Sequence, residues 1–589
     1  MRAILATLLC LALPVAAQQA ADTVAPEGAG AGALHVPAML HGAAGAKAAG
    51  RPAVAEDWMI AAAHPLAVEA GARVLSLGGT AADAMVAAQA VLGLVEPQSS
   101  GLGGGAFLVW HDGATGEITT LDGRETAPLA ATPTLFQDED GQPLGFFEAV
   151  VGGRSVGVPG TPALMAEAHG RWGRADWAGL FDDAIRLAEE GFSVSPRLAG
   201  LVARDSDRLS RFDTTRAYFF PGGTPLREGG TLRNPAYADT LRILATEGPE
   251  PFYTGAIAED IAAAVQGAKG NPGQLSATDL AIYQVRERDA ACVPYRGYDV
   301  CGMGPPSSGG VTVGQILGLL VPFDLAALGP DNPEAWRLIG DASRLAFADR
   351  GRYLADSDFV PVPVRGLLDP GYLRDRARLL RGDDALPEVA PGTPEFDHAL
   401  DWGTGETLEQ PSTSHISIVD AHGNALSITT TIENAFGSRL MVRGFLLNNE
   451  LTDFSFASHD GGRPIANAVA PGKRPRSSMA PTILRRDGQP VLVLGSPGGS
   501  RIIGFVAKTI IAWADWGMDV QEAVALPHLV NRFGRYDIEP GAARLAPALT
   551  ALGYEVETRA LTSGLHAIEI GTRLEGGADP RREGLAYGE

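Results

Sequence analysis

The sequence predicts an α+β fold, with helical and strand-forming stretches largely segregated along the chain. Helical patterns dominate about residues 161–267, as in "PALMAEAHGRWG" and "FDDAIRLAEEGF", and return after "GPPSSGG" (304–310) to about residue 383. Strand-like runs stand at "AFLVW", "GEITTLDGR" and "AVVGGRSVGV", and a strand-rich final part runs from 413 to the C-terminus. No internal repeat with a period of about 20–50 residues and no heptad pattern competes with this reading.

Taken in order, "MRAILATLLCLALPVAAQQ" has Arg2 as a positive start, an apolar run over 4–14 and a small-residue cleavage site at Val15-Ala16-Ala17. Residues 1–17 therefore read as a signal peptide, and the mature protein is expected to be periplasmic or secreted, beginning near Gln18. The apolar run is too short to span a bilayer. Residues 18–55, rich in Ala, Gly and Pro without a steady period, read as a flexible leader. Pro65 suits a first helical position, Gly78-Gly79 a stop, and Thr80 with Asp83 the cap of a second helix that Pro97 ends. A polar, Pro-rich loop is expected over 384–412. Cys292 and Cys301 flank "VPYRGYDV", a strand-turn-strand pattern; a bridge and two buried free thiols are both compatible with it.

With 589 residues, 45% of them hydrophobic, the chain has ample material for a large core. Its formal net charge of -22 argues against nucleic-acid binding and against docking on anionic lipid, both of which need a concentrated positive surface. There is no H-E-x-x-H and no Cys/His cluster, so no metal site is expected. "GLGGG" (101–105) lacks the G-x-G-x-x-G spacing after a clear strand, so no cofactor is expected either.

The most informative stretch is "EQPSTSHISIVDAHGN" (409–424) with the returning "ALSITTTI". Ile416, Ile418, Leu426 and Ile428 alternate with the period of a half-buried strand pair. A three-residue loop Ala421-His422-Gly423 makes Asp420 face Asn424, Ile416 meet Ile428 and Ile418 meet Leu426, so the apolar faces agree. That register sets Thr413 opposite Thr431 on the other, polar face, with His415, Ser417, Ser427 and Thr429. Threonines also favour strands simply because they are β-branched. Two hydroxyls at the open end of a hairpin are thus exposed polar groups or a nucleophile with its partner.

"STSHISIVDAHGNALSITTTIENAFGS", "GFLLNNELTDFS", "GKRPRSSMAPTI", "LGSPGGSRII", "GLGGGAFLVW", "LDGRETAPLA" and "GPPSSGGVTVGQ" together resemble the γ-glutamyltransferases (γ-glutamyltranspeptidases) of the N-terminal-nucleophile hydrolase superfamily, over roughly residues 55–589. The resemblance implies a four-layer αββα sandwich made as one precursor. Self-cleavage before Thr413 would leave a large chain (56–412 plus the leader) and a small chain (413–589), associated as one composite domain.

Under the same resemblance Thr413 is the nucleophile and its freed α-amine, with an ordinary pKa near 7.7–8.0, the base. Thr431 is expected to hydrogen-bond the Thr413 hydroxyl, and the N–H groups of Gly498 and Gly499 to form the oxyanion hole. Arg124, supported by Ser477 and Ser478, would take the α-carboxylate of a γ-glutamyl donor, while Asp453 with Glu450 would take its α-ammonium. Water, an amino acid or a peptide would accept the acyl group.

Two departures stand out. The family commonly has Asn where this chain has Glu433, which leaves the role of that residue open. The loop after Asp453, "FSFASHDGGRPIANAVAPG", is shorter than in many bacterial members and holds no Tyr or Trp to close over substrate. The leading expectation is a γ-glutamyl hydrolase/transferase acting on glutathione and related amides. The alternatives are a cephalosporin (glutaryl) acylase-like amidase with the same nucleophile and, from another class, an uncleaved, catalytically silent binding protein.

Overall fold

Two seven-stranded sheets lie face to face in the computed structural model, which describes residues 34–398, 401–405, 409 and 412–589. The first runs Leu585–Gly588, Met59–Ala62, Ser414–Val419, Ala425–Thr431, Gly105–His111, Ile118–Gly123 and Arg286–Arg288, every neighbouring pair antiparallel. The second runs Ala53–Ala55, Leu574–Ala578, His566–Ile570, Gln489–Gly495, Thr482–Arg486, Tyr298–Gly302 and Ala291–Tyr295. Both sheets mix strands from before and after residue 413, so neither half of the chain could complete a sheet alone.

Three apolar clusters mark the three interfaces of a four-layer sandwich. Helices Pro65–Ser76, Ala81–Val95 and Thr161–Trp172 cover the outer face of the first sheet, where Ile60, Leu108, Ile416, Ile418 and Ile428 point. Helices Gly309–Leu320, Pro333–Tyr353 and Ile502–Ala514 cover the outer face of the second, against Val293, Val300, Leu484 and Leu494. Between the sheets lie Met59, Ala61, Val109, Ile483, Val493 and Ile568. The capping box of Thr80 and Asp83 is formed, and Pro65 opens its helix.

The central hairpin has the expected register: Ile416 faces Ile428, Ile418 faces Leu426, and Asp420 N–H donates to Asn424 O across the turn. The pair is not half-buried, however. His415, Ser417, Ser427 and Thr429 are as buried as the isoleucines, because their face meets the second sheet instead of water. Their hydroxyls are satisfied there: Ser417 Oγ donates to His566 O and Ser427 Oγ to Leu494 O.

Two other expectations change. "AVVGGRSVGV" is not a strand: its start ends the helix Phe146–Val150, and only Val158 forms an isolated bridge, to Thr126. Gly152-Gly153 interrupt the pattern, so no continuous ladder can form. The leader is structured in its second half, with a helix His41–Ala48 and the edge strand Ala53–Ala55. No residue of that helix is buried, which is why it shows no apolar period; Lys47 ties it down by donating to Arg582 O and Gly584 O. The signal peptide, 1–17, lies outside the described residues. Cys292 and Cys301 face each other across neighbouring strands and form a disulfide.

Candidate active site

Thr413 sits immediately before the strand Ser414–Val419, at the edge of the cleft between the layers. Its backbone has φ +139°, a region that L-residues with a side chain rarely occupy and hold only when the surroundings impose it. The surroundings are visible: Ser412 Oγ donates to Gln98 O, and Arg582 Nη1 donates to Thr413 O at 3.0 Å.

The Thr413 hydroxyl lies 3.2 Å from that of Thr431. Thr431 Oγ1 also accepts the Glu433 N–H at 2.9 Å, which leaves its proton free to point at Thr413. Gly104 packs against this strand end so closely that a Cβ there would come within 1.9 Å of Thr431 O, which accounts for glycine in "GLGGG". His415, two residues from Thr413, is no base for it. Its ring contacts the hydroxyls of Thr429 and Ser417, and burial holds its pKa well below the ordinary value.

A pocket opens over these hydroxyls. Nine of the ten residues expected from sequence line it: Arg124, Thr413, Thr431, Glu433, Glu450, Asp453, Ser477, Ser478 and Gly499. Gly498 does not line it but turns the chain into it, with φ +138°. A Cβ at Gly498 would meet the Phe505 ring at 2.6 Å, so only glycine fits. The turn leads through Gly499–Arg501 into the buried helix Ile502–Ala514, whose N-terminal end favours negative charge.

Arg124 is fully buried and makes ion pairs with Glu450 and, at 2.5 Å, with Asp453. Its Nε also donates to Pro475 O and its Nη2 to Arg476 O, so the "KRPRSSM" loop holds the guanidinium in place. Ser477 and Ser478 are held in turn by "GPPSSGG": Ser308 donates to Ser477 O through both its N–H and its hydroxyl. Glu433, at φ +72°, presents its carboxylate to Asn449 Nδ2.

Sequence reasoning missed Glu409, Glu125, Arg350, Met479 and Ile502. Glu409 enters the pocket from the loop before Thr413 and pairs with Arg350, which also donates to Ser478 Oγ at 2.8 Å. Glu125, the neighbour of Arg124 in "DGRETAP", is buried beside Glu450. Only its place in that motif could have signalled it. Burial raises the pKa of Glu125, Glu450 and Asp453, with Arg124 opposing; three carboxyls share one guanidinium. Burial also works to raise that of Glu409, but Arg350 and Arg476 outweigh it and the net shift is downward. The pocket therefore carries more acid than base, an arrangement that suits a ligand bearing both an ammonium and a carboxylate. Among the described residues no cluster of His, Cys, Asp and Glu is arranged to hold a metal.

Known proteins are similar to this chain along most of its length. The Bacillus subtilis (strain 168) protein named glutathione hydrolase proenzyme is 38% identical over 550 residues, 91% of this chain and 92% of its own length. The acylase ACY 1 proenzyme of Pseudomonas sp. (strain SE83) is 34% identical, covering 88% of this chain and 90% of its own. The crystal structure of cephalosporin acylase from Bacillus halodurans superposes with a TM-score of 0.81 at 28% identity, over 92% of this chain and 97% of that one. A family model for gamma-glutamyltranspeptidase matches residues 67–589, a span holding both sheets' central strands and every residue of the pocket. On that match, and on relatives similar along almost their whole length, the chain belongs to the γ-glutamyltranspeptidase family.

Proposed function

We propose that the protein is a γ-glutamyl hydrolase/transferase that cuts itself before Thr413 and then cleaves glutathione and other γ-glutamyl amides. The observation that carries this reading is the pairing of two hydroxyls, Thr413 and Thr431, beside a buried Arg124–Asp453–Glu450 clamp in one pocket. The cut would leave Gln18–Ser412 and Thr413–Glu589 as two chains of one composite domain. Its product acts outside the cytoplasm if the expected signal peptide is used.

In the cut, Thr413 Oγ adds to the Ser412 carbonyl carbon, the C–N bond breaks to free the Thr413 amine, and water hydrolyses the resulting ester. The strained φ at Thr413 supports this step, because cleavage releases it. In turnover the amine takes the Oγ proton and Oγ attacks the γ-carbonyl. N–H groups of Gly498 and Gly499 stabilise the oxyanion, and the proton passes to the departing amine. Water, or the amine of an amino acid or peptide, then takes the acyl group from Thr413.

The buried Arg124–Asp453–Glu450 clamp sits beside Thr413 in the same pocket, which suits a γ-glutamyl head group with the leaving group outside. The short loop after Asp453 leaves that exit open and favours hydrolysis. A glutaryl amidase with the same nucleophile is the second reading, supported by similarity to an acylase. Initial rates on γ-glutamyl and glutaryl anilides separate the two, since the substrates differ only in the α-ammonium. A preference for γ-glutamyl by tenfold or more is expected, and a preference for glutaryl overturns the proposal. Thr413→Ala is expected to remain one chain on a denaturing gel; two chains or turnover in that variant would remove Thr413 from its role.

A further inference from the structure

Thr413 O accepts a hydrogen bond from Arg582 Nη1, a contact spanning 169 residues of sequence. Arg582 is 4% exposed, and its aliphatic stem passes over Gly564, where a Cβ would come within 2.9 Å of it. The backbone of the same residue is fixed: Lys47 donates to Arg582 O at 2.7 Å, and Arg582 N–H donates to Asp579 O. Asp579 is in turn tied to Ser563, Leu565 N–H and Arg581. An arginine whose backbone and stem are held in place thus donates to the residue that the proposed chemistry depends on most.

We infer that Arg582 is a positioning residue for Thr413, in both the cut and the turnover. In the uncut chain its hydrogen bond fixes the Thr413 carbonyl and so helps hold the rare φ that presents Oγ to the Ser412 carbonyl. After the cut the same bond sets the direction of the amine and hydroxyl on one Cα. The charge has a second effect. By covalent geometry the new amine lies within about 6 Å of the guanidinium, and a nearby positive charge favours the neutral, proton-accepting form of an amine.

Other charges face that amine. Glu409, Glu433, Glu450 and Asp453 do so from the pocket, opposed by Arg124. Glu96, paired with Arg197, reaches Ser414 from beneath. On the C-terminal side the neighbours of Arg582 are Lys47, Asp579, Glu583 and His566; burial lowers the pKa of His566 to about 3 and keeps it neutral. Arg350 beside Glu409 and Arg581 beside Asp579 are further cations there, each paired with its own carboxylate. Arg582 is the cation bound directly to the residue that carries the amine, so its removal leaves the acidic groups less opposed.

The inference rests on Thr413 being the N-terminal nucleophile, and the test keeps the two apart. The first residue of the small chain is determined in the wild type; a start other than Thr413 sinks the function proposal itself. With that start established, Arg582→Gln and Arg582→Lys are compared for self-cleavage on a denaturing gel and for the pH profile of kcat/KM on a γ-glutamyl anilide. Arg582→Gln is expected to cut at least tenfold more slowly and to move the acid limb to higher pH by about half a unit, with KM changed less than threefold. Arg582→Lys is expected to keep the wild-type limb. Wild-type cutting and an unmoved limb in Arg582→Gln would overturn the inference, as would a lysine variant no better than the glutamine one. If Arg582→Gln does not cut at all, added guanidinium ion at about 50 mM is expected to restore cleavage; failure to restore it overturns the inference.

Discussion

Arg124 and Asp453, 329 residues apart in sequence, meet at 2.5 Å inside the pocket, with Glu450 on the other guanidinium nitrogen. The two sides of the expected substrate clamp therefore hold each other in the uncut chain. A donor with an α-carboxylate and an α-ammonium exchanges this pairing for two pairings of its own. That exchange favours ligands that supply both charges at once, since supplying one leaves a buried partner unmatched.

Asp453→Asn is the direct test of the ammonium side. Loss of a charge-assisted hydrogen bond costs about 1.5–3 kcal/mol, so kcat/KM for a γ-glutamyl anilide should fall by roughly 10–150-fold. The glutaryl anilide, which lacks the ammonium, should lose less than threefold. Equal losses on both substrates would mean that Asp453 serves only to hold Arg124.

The pH dependence has a definite sign. Burial raises Asp453, Glu450 and Glu125 above the usual carboxyl range, so the trio keeps a proton at pH values where an exposed carboxyl has lost it. Such groups bind protons more tightly folded than unfolded. Their contribution to stability is full below the unfolded pKa near 4 and is lost as pH rises through the folded one. A ligand ammonium favours the charged form. KM for the γ-glutamyl anilide should therefore fall as pH rises from about 5 to 8, while KM for the glutaryl anilide stays flat or rises. Parallel KM profiles for the two substrates would contradict this.

Thr431 offers one hydroxyl to two partners, accepting the Glu433 N–H and lying 3.2 Å from Thr413 Oγ1. Thr431→Val keeps the shape and removes both bonds. A kcat lower by about 5–150-fold, with KM within threefold, is expected from the loss of roughly 1–3 kcal/mol in a buried site. A change confined to KM would place Thr431 in binding instead of chemistry.

What the chain disclosed in advance follows a physical divide. The Thr413–Thr431 pairing was legible because side chains alternate strictly along a strand and Gly423 set the loop, so Ile416 opposite Ile428 left a single register. The burial of His415 and Ser417 was not legible, since it depends on a second sheet assembled from residues 298–302, 482–495 and 566–578. A polar face reads the same whether it meets water or the satisfied backbone of another layer. Arg124 carried its role through a motif, but its pairing with Glu450 is a long-range fact with no local pattern. The Arg582–Thr413 contact is of the same kind: nothing in "ADPRREG" marks one of two adjacent arginines as facing the nucleophile.

The disulfide separates stability from activity. Cys292 and Cys301 join two strands at the edge of the second sheet, and neither lines the pocket. A loop this short, nine residues from one cysteine to the other, restricts the unfolded chain by about 2–3 kcal/mol in the entropy model. Because the strands are already paired at Ala291–Gly302 and Val293–Val300, the folded sheet has no need of the bond for its register. Cys292→Ser paired with Cys301→Ser should thus lower the urea midpoint while leaving kcat/KM at 25 °C within twofold and self-cleavage unslowed. The expected drop should match that of wild-type protein treated with reductant. A double variant that unfolds normally but cuts slowly would instead tie this edge to the pocket, through Gly302 and the Ser307–Ser308 turn that holds Ser477.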